Sequence, residues 1–397
     1  MNAMLTDFST RGSIKVTLEF RAARRSVPGF LALFFLVVAV LSATKIPCIW
    51  TGVEKIVAVG DLHGDYENFV KILKGTGLVN RELHWTGGKT HLVQMGDVMD
   101  KGPEAKKILD LLMSLEKEAE DSGGRVHALI GNHEEVNITG IAFDYPGYVM
   151  VEQFVSFLPD KLREKKEREF RKKALRGAPP GSKPLVGSVE SFRGYWEETI
   201  KNDSLARKEY LRNFNERYGK WILQHNAVIK INDVIFVHGG ISERFSKWTL
   251  EDLNAVLRRE LDLLRLILMS SVPLPPDLSL EVVYQSDGPL WYRELAVEDE
   301  IAYQQDVETI LSNLGAKYMV IAHTPIVIHT KAEMSRFQGK VWIIDTGISR
   351  VFPGGHQSAL IIENENFSIW GVPNGQQDQT PLHFFEYPFS GSPVFRF

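Results

Sequence analysis

The chain of 397 residues is 44% hydrophobic and 24% charged, a globular balance on a length that suits one large domain or two ordinary ones. This excludes a disordered polypeptide, a collagen-like fibre and a disulfide-stitched miniprotein. A net charge of −4 argues against a polycation built for nucleic acid, and the single cysteine, Cys48, excludes an internal disulfide and every Cys-rich zinc site.

Near the amino terminus an apolar run at 30–41, FLALFFLVVAVL, follows Arg21, Arg24 and Arg25 and precedes Lys45. A basic flank before about a dozen apolar residues has the form of a secretory signal, whereas a spanning helix wants about 20. Residues 1–50 are therefore expected to be a signal peptide or, through 29–44, a membrane anchor. The rest of the chain is expected outside the cytosol, in the bacterial periplasm, secreted, or held at a membrane. A buried core helix is the other reading of the run.

From Lys55 onward, short apolar runs alternate with helical periodicity. Runs at 55–60, 91–95 and 125–130 read as strands, with helices at 66–73 and 104–120 between them. The second helix has a core face of Ile108, Leu111, Leu112 and Leu115. A long insertion follows at 145–225. Its segment 161–176, KLREKKEREFRKKALR, is helical by propensity with a basic excess. That segment is a solvated face, or else a basic lid or docking arm for an acidic partner. Further strands are expected at 234–237, 317–322, 341–345 and 359–363, with a Leu-rich helix at 250–269 and breakers at 178–181 and 273–276. Strands alternating with helices argue an α/β domain.

Three of these strands run into polar blocks: GDLHGD (60–65), GDVMDKG (96–102) and GNHE (131–134). Ligands in open α/β sheets sit beyond the carboxyl ends of the strands, so the blocks should share one cleft. Later strands deliver His238 and His323 at their ends. Asp and His without thiolate suit a borderline or hard divalent cation, and six donors suit two cations sharing a ligand. Asp61 and His63 can reach one cation, Asp97 would bridge, and Asn132, His238 and His323 would complete the second. His329 is a rival to His323. Asp100, bonded to a ring nitrogen of His133, would fix its tautomer and prepare it as a general acid. Glu134 and Asp65 read as supporting or helix-capping groups, and His84, His91, His127, His225, His356 and His383 as structural.

The blocks GDLHGD, GDVMDKG, GNHE, HGG and AHT, in this order, resemble the signature of the PPP-type metallophosphoesterases, the protein serine/threonine phosphatase family. GPLWYR (288–293), the insertion and the amino-terminal segment look most like its bacterial-origin branch, the Shewanella-like phosphatases. The resemblance runs from Glu54 to Glu363. It implies a four-layer α/β sandwich, two mixed β-sheets flanked by helices, over 54–366, with a tail at 367–397. It also implies two divalent ions (Mn, Fe or Zn) on Asp61, His63, Asp97, Asn132, His238 and His323, an acid pair His133 with Asp100, and direct attack by a metal-bound hydroxide without a phosphoenzyme. The implied substrates are proteins phosphorylated on Ser, Thr or Tyr, or small phosphoesters. The family's second block usually ends in Asp-Arg-Gly, and Lys101 stands here in the arginine's place. Lysine keeps the charge but loses the planar fork, which leaves Arg293 as the main phosphate clamp and Arg350 as a weaker candidate. A diadenosine-tetraphosphate-type hydrolase or a phosphodiesterase would share the cradle. AHTPIVIH lacks, however, the Gly-His-x-His block of several phosphodiesterase and nuclease relatives. The non-enzymatic rival is an inactive, metal-stabilised module whose basic 161–176 helix recruits acidic partners.

Overall fold

The computed structural model describes residues 46–176, 189–270, 278–327, 331–371 and 383–384. The run at 30–41 and His329 lie outside these residues, and no helix among them is long and apolar enough to cross a membrane.

The first half of the body is β1 (Ile49–Trp50), β2 (Lys55–Val59), α1 (Tyr66–Gly75), β3 (His91–Gln94), α2 (Ala105–Asp121), β4 (Arg125–Ala128) and α3 (Asn132–Thr139). β2, β3 and β4 are parallel neighbours, in register through Val57 with Leu92 and Val93 with His127. Parallel neighbours need crossovers, and α1 and α2 supply them. Both helices are amphipathic: α2 buries Ile108, Leu109, Leu112 and Leu115 and leaves its lysines in solvent. The insertion folds as α4 (Val151–Phe157), α5 (Asp160–Arg176), α6 (Val189–Asn202) and α7 (Ser204–Phe214). Phe154, Phe157, Tyr210 and Phe214 gather their rings into a fully buried cluster there. The basic α5 pairs some charges locally, Arg163 with Asp160 and Arg168 with Glu164.

The second half comprises β5 (Val228–Ile231), β6 (Val234–Val237), α8 (Leu250–Ser270), α9 (Glu300–Asn313), β7 (Tyr318–Ile321), β8 (Ile326–Val327), β9 (Ser335–Arg336), β10 (Val341–Ile343), β11 (Ala359–Glu363), β12 (Asn366–Trp370) and β13 (His383–Phe384). Two mixed sheets result, ordered β12-β11-β2-β3-β4 and β1-β5-β6-β7-β10-β9, with β13 and β8 forming a separate pair. One hydrophobic core runs through both sheets. Helices cover the outer faces, α2 against β4 and α8 against β5, which is the four-layer α/β arrangement.

The body is wider at both ends than the expected 54–366. β1, inside the stretch assigned to a signal or anchor, pairs with β5, and β12 runs past 366 because it closes a hairpin on β11. The strand expected at 341–345 stops at Ile343, where Ile344 and Asp345 turn toward the end of β2. A Cβ on Gly60 would lie 2.3 Å from the Ile344 carbonyl oxygen. Only glycine lets the two sheets close at that point. The carboxyl ends of β2, β3 and β4 thus meet those of β6, β7 and β10 along one seam.

Candidate metal centre

Every expected ligand lies on this seam, just past a strand. The backbone there is forced into unusual shape: His63, Asp97, Asp100, Lys101 and His323 all have left-handed φ, between 39° and 67°. For residues with a Cβ such conformations cost about 1–3 kcal/mol each, and they persist where surrounding structure over-determines them. The Asp97 carbonyl accepts from the backbone N–H of both Leu62 and His63, at 3.0 and 2.9 Å. Val98 accepts from Gly64 at 2.9 Å, locking the first loop to the second. Glu134 braces the second loop from the other side. One of its oxygens accepts from Asp97 N and Gly131 N (2.8 and 2.9 Å), the other from Val98 N and Met99 N (2.9 and 3.3 Å).

The structure brings together all eight residues expected to carry metal or acid chemistry, each at most a few percent exposed. Asp97 is central. Its Oδ1 lies 3.2 Å from His238 Nε2, and its Oδ2 lies 3.8 Å from both His63 Nε2 and His133 Nε2. Two overlapping clusters, His63 with Asp97 and His133, and Asp97 with His238 and His323, hold their ligating atoms within 4.8 Å of one another. Asp61 reaches His63 Nε2 at 4.0 Å. The imidazoles are aimed by carbonyls: His63 Nδ1 bonds Met99 O at 3.0 Å and His238 Nδ1 bonds Met95 O at 2.9 Å. A carbonyl only accepts, so Nδ1 carries the proton and Nε2 turns inward.

The electrostatics call for positive charge. Burial opposes ionising Asp97, but His238, His133 and His63 outweigh it and hold the carboxyl well below the usual range. Asp97 in turn raises His238 against its burial. Burial pushes His63 and His323 well below the ordinary imidazole value, keeping them as lone-pair donors. The Asn132 amide oxygen is turned toward other acceptors. It is 2.9 Å from His238 Nε2, and the same end lies 3.0 Å from His323 Nδ1 and 3.2 Å from Asp97 Oδ1. Acceptors crowded this way are satisfied by a cation among them, so the residues present fit divalent metal ions.

Asp345 was not legible as part of the site. It is 1% exposed, its Oδ2 has no hydrogen-bond partner, and burial raises its pKa. Burial and then Asp345 push Asp61 well above the carboxylate range too, so these two carboxyls face each other. The available signal was its position, a polar residue ending the apolar run VWII like the other blocks.

His133 follows Asn132 into the first turn of α3, and its Nδ1 sits 2.8 Å from Asp100 Oδ2. Its backbone N–H donates to Asp97 Oδ1 at 2.9 Å, which ties it to the ligand set. Arg293 is exposed at the cleft, with one guanidinium nitrogen 3.0 Å from both His323 O and Thr324 Oγ1. Lys101 turns inward. Its Nζ is 3.0 Å from His63 Nε2, and burial lowers its pKa. Arg350 does not join the site; it is committed to Asp65 and Glu67, at 2.9 and 3.0 Å. Aromatic rings border the cleft: Tyr148 at 4.5 Å from the His133 ring, Tyr145 stacked on Tyr148 at 4.8 Å, and Phe352 at 5.6 Å from His63. Of the histidines read as structural, His91 bonds His127 at 3.0 Å, His225 bonds Glu116 at 2.8 Å and His84 bonds Glu118 at 3.2 Å.

Residues 54–327 match the family model described as calcineurin-like phosphoesterase. The chain is 28% identical over 305 residues to Shewanella-like protein phosphatase 1 of Plasmodium berghei, covering 76% of this chain and 68% of that one. It is 29% identical over 317 residues to Shewanella-like protein phosphatase 2 of Arabidopsis thaliana, covering 79% and 76%. Among solved structures, a mutant cold-active protein tyrosine phosphatase superposes with a TM-score of 0.58 at 25% identity, over 82% of each chain. The matched segment spans more than half of the chain and holds all the expected ligands together with His133 and Asp100. The chain belongs to the calcineurin-like phosphoesterase family, metal-dependent hydrolases of phosphate esters.

Proposed function

We propose that this protein is a two-metal phosphomonoesterase that acts on phosphorylated proteins. The observation that carries the reading is the Asp97 carboxylate, shared by two histidine clusters with one oxygen toward each. Asp61, His63, Asp97, Asn132, His238 and His323 would hold two divalent cations, which would supply activation of a water and neutralisation of the phosphoryl oxygens. The chain's own residues do the rest. Arg293 orients the phosphoryl group by charge-assisted hydrogen bonds, and Lys101 adds a compact positive charge without a bidentate grip. His133, held by Asp100 at Nδ1, gives the proton on Nε2 to the leaving oxygen. The arginine-flanked run at 30–41 supports delivery of the catalytic body outside the cytosol or to a membrane surface.

Between a serine or threonine ester and a tyrosine ester, the rings of Tyr148, Tyr145 and Phe352 favour tyrosine. A phosphotyrosine ring can stack on them, and such pairs contribute roughly 1 kcal/mol beyond area burial. The cold-active relative of solved structure is named a protein tyrosine phosphatase. The test is a panel of phosphotyrosine, phosphoserine and phosphothreonine peptides assayed beside diadenosine tetraphosphate, with Mn²⁺. Expected are two ions per chain by metal analysis and a kcat/KM for phosphotyrosine about tenfold above the other peptides, in line with stacking and apolar burial together. One ion per chain at saturation, or preferential cleavage of the dinucleotide, would remove the reading.

Two variants separate the roles. Arg293→Ala should raise KM for phenyl phosphate by roughly 10–100-fold while leaving metal content unchanged, as loss of a hydrogen bond to a charged group predicts. His133→Asn should keep its metals and lose rate by about 10²-fold or more on phenyl phosphate, but much less on p-nitrophenyl phosphate, whose leaving group needs no proton. Equal losses on both esters would remove His133 as the acid.

A further inference from the structure

The insertion reaches further into the site than a surface lid does. Gln153 on α4 and Tyr210 on α7 are both 0% exposed, as are Asp100 and Asn137. The Gln153 side chain clamps Asp100 twice: its Oε1 accepts from the Asp100 backbone N–H at 2.7 Å, and its Nε2 donates to Asp100 Oδ1 at 2.8 Å. The other Asp100 oxygen, Oδ2, takes His133 Nδ1 at 2.8 Å and Asn137 Nδ2 at 2.7 Å. Asn137 also donates to the His133 carbonyl at 2.8 Å. Tyr210 OH closes the ring, accepting from Gln153 Nε2 at 3.1 Å and donating to Asn137 Oδ1 at 3.0 Å.

The protons of this ring leave no donor without an acceptor, and Gln153 Nε2 also lies 3.3 Å from Asn137 Oδ1. Asn137 Nδ2 faces two acceptors, which turns its Oδ1 to the tyrosine. Tyr210 spends its single proton on that oxygen, and its own oxygen accepts from Gln153 Nε2 at 3.1 Å, the shorter distance beside the 3.3 Å to Asn137 Oδ1. Gln153 Nε2 then gives its other proton to Asp100, and its Oε1 is left for the Asp100 N–H. Asp100 meanwhile has left-handed backbone, φ 67°, which the Gln153 clamp holds. Phe143 and Phe154 pack on the Tyr210 ring at 5.2 and 5.4 Å and exclude water. Buried networks with every member satisfied are rigid, and a half-satisfied one is costly.

We infer that Gln153 and Tyr210, supplied by the insertion, are positioning residues for proton transfer: they fix the Asp100 carboxylate so that its Oδ2 is presented to His133. The inference rests on the reading of His133 as the acid. It gives the insertion a role in the rate of the chemical step that differs from covering the cleft or docking a partner.

The experiment measures kcat and KM of the full chain on phenyl phosphate and on 2,4-dinitrophenyl phosphate, for the wild type and for Gln153→Leu, Tyr210→Phe, His133→Asn and the Gln153→Leu/His133→Asn double variant. Metal content is measured throughout. Gln153→Leu should lower kcat on phenyl phosphate on the order of 10–100-fold, the cost typical of losing a partner one shell behind the reacting group. It should cost under about threefold on the dinitrophenyl ester, with metal content and KM held. Tyr210→Phe, which keeps the ring, should follow the same pattern more weakly. In the double variant the Gln153 effect should vanish, because groups that act as one unit are not additive. The His133 Nδ1 proton signal in ¹⁵N-histidine-labelled protein should move upfield in Gln153→Leu as the bond to Asp100 loosens.

A structural role alone would lower both esters equally, and that outcome overturns the inference. So does a Gln153 effect that persists in the absence of His133. If His133→Asn discriminates between the esters and Gln153→Leu does not, the inference fails while the acid assignment stands. If neither discriminates, both fall.

Discussion

Asp97→Asn is expected to remove the paired cations and the activity together, with kcat falling by at least about 10³-fold, the scale for losing a preorganised electrostatic group. Asp97 is the carboxylate that faces both clusters, with Oδ1 3.2 Å from His238 Nε2 and Oδ2 3.8 Å from His63 Nε2. Asparagine removes the charge and turns an N–H₂ toward one of the two sets of lone pairs. The fold should survive, because asparagine tolerates the left-handed backbone found here, φ 55°, better than most residues. Metal analysis should fall from two ions to one or none while the circular dichroism spectrum stays unchanged. A variant that keeps two ions and the wild-type rate would show that the bridge lies elsewhere.

Glu134→Ala should give the largest loss of stability. The carboxylate serves four backbone N–H groups, on Asp97, Val98, Met99 and Gly131. Burial, and then Asp97, push its pKa up to about 7, against the pull of the Gly131 and Asp97 N–H groups. In the alanine variant those donors are left buried without partners, at about 1–3 kcal/mol for each that finds no water. A net loss of roughly 3–5 kcal/mol is expected, or a fall in Tm of roughly 6–20 °C at about 2–4 °C per kcal/mol. Glutamine should rescue little, because its N–H₂ meets N–H donors on one side. Scanning fluorimetry with and without Mn²⁺ measures the loss, and an unchanged Tm would mean that the second loop is held by something other than Glu134.

The residues that the structure gathers on the seam were legible because each follows an apolar strand, and chemistry restricts what can stand there. His133 and Asp100 were legible as a pair for the same reason. Residues whose role comes from distant packing were not. Asp345 reads like any strand-ending acid until the seam sets it beside Asp61, across 284 positions of sequence. Gln153 and Tyr210 belong to a segment whose most visible feature is the charge of α5. Their neighbours, Phe154, Phe157 and Phe214, read as ordinary core. Among the strands, β2 stands out as an almost continuous apolar run, KIVAV, as parallel strands buried on both faces do. By contrast β12, NFSIW, mixes polar and apolar residues at half-exposed positions, so the body continues into a stretch assigned to the tail. β1 has only two residues, and its pairing with β5 has no local signal.

The seam has a thermodynamic consequence. Asp61, His63, Asp97 and Asn132 come from one sheet, while His238 and His323 come from the other, so an ion held by both sets rivets the two halves of the body. Occupancy and conformational stability are then one linked equilibrium. A cation at 100 times its dissociation constant would add about 2.7 kcal/mol, and that reserve would drain away in a chelator. Scarcity of metal would thus shorten the lifetime of the protein as well as slow its turnover.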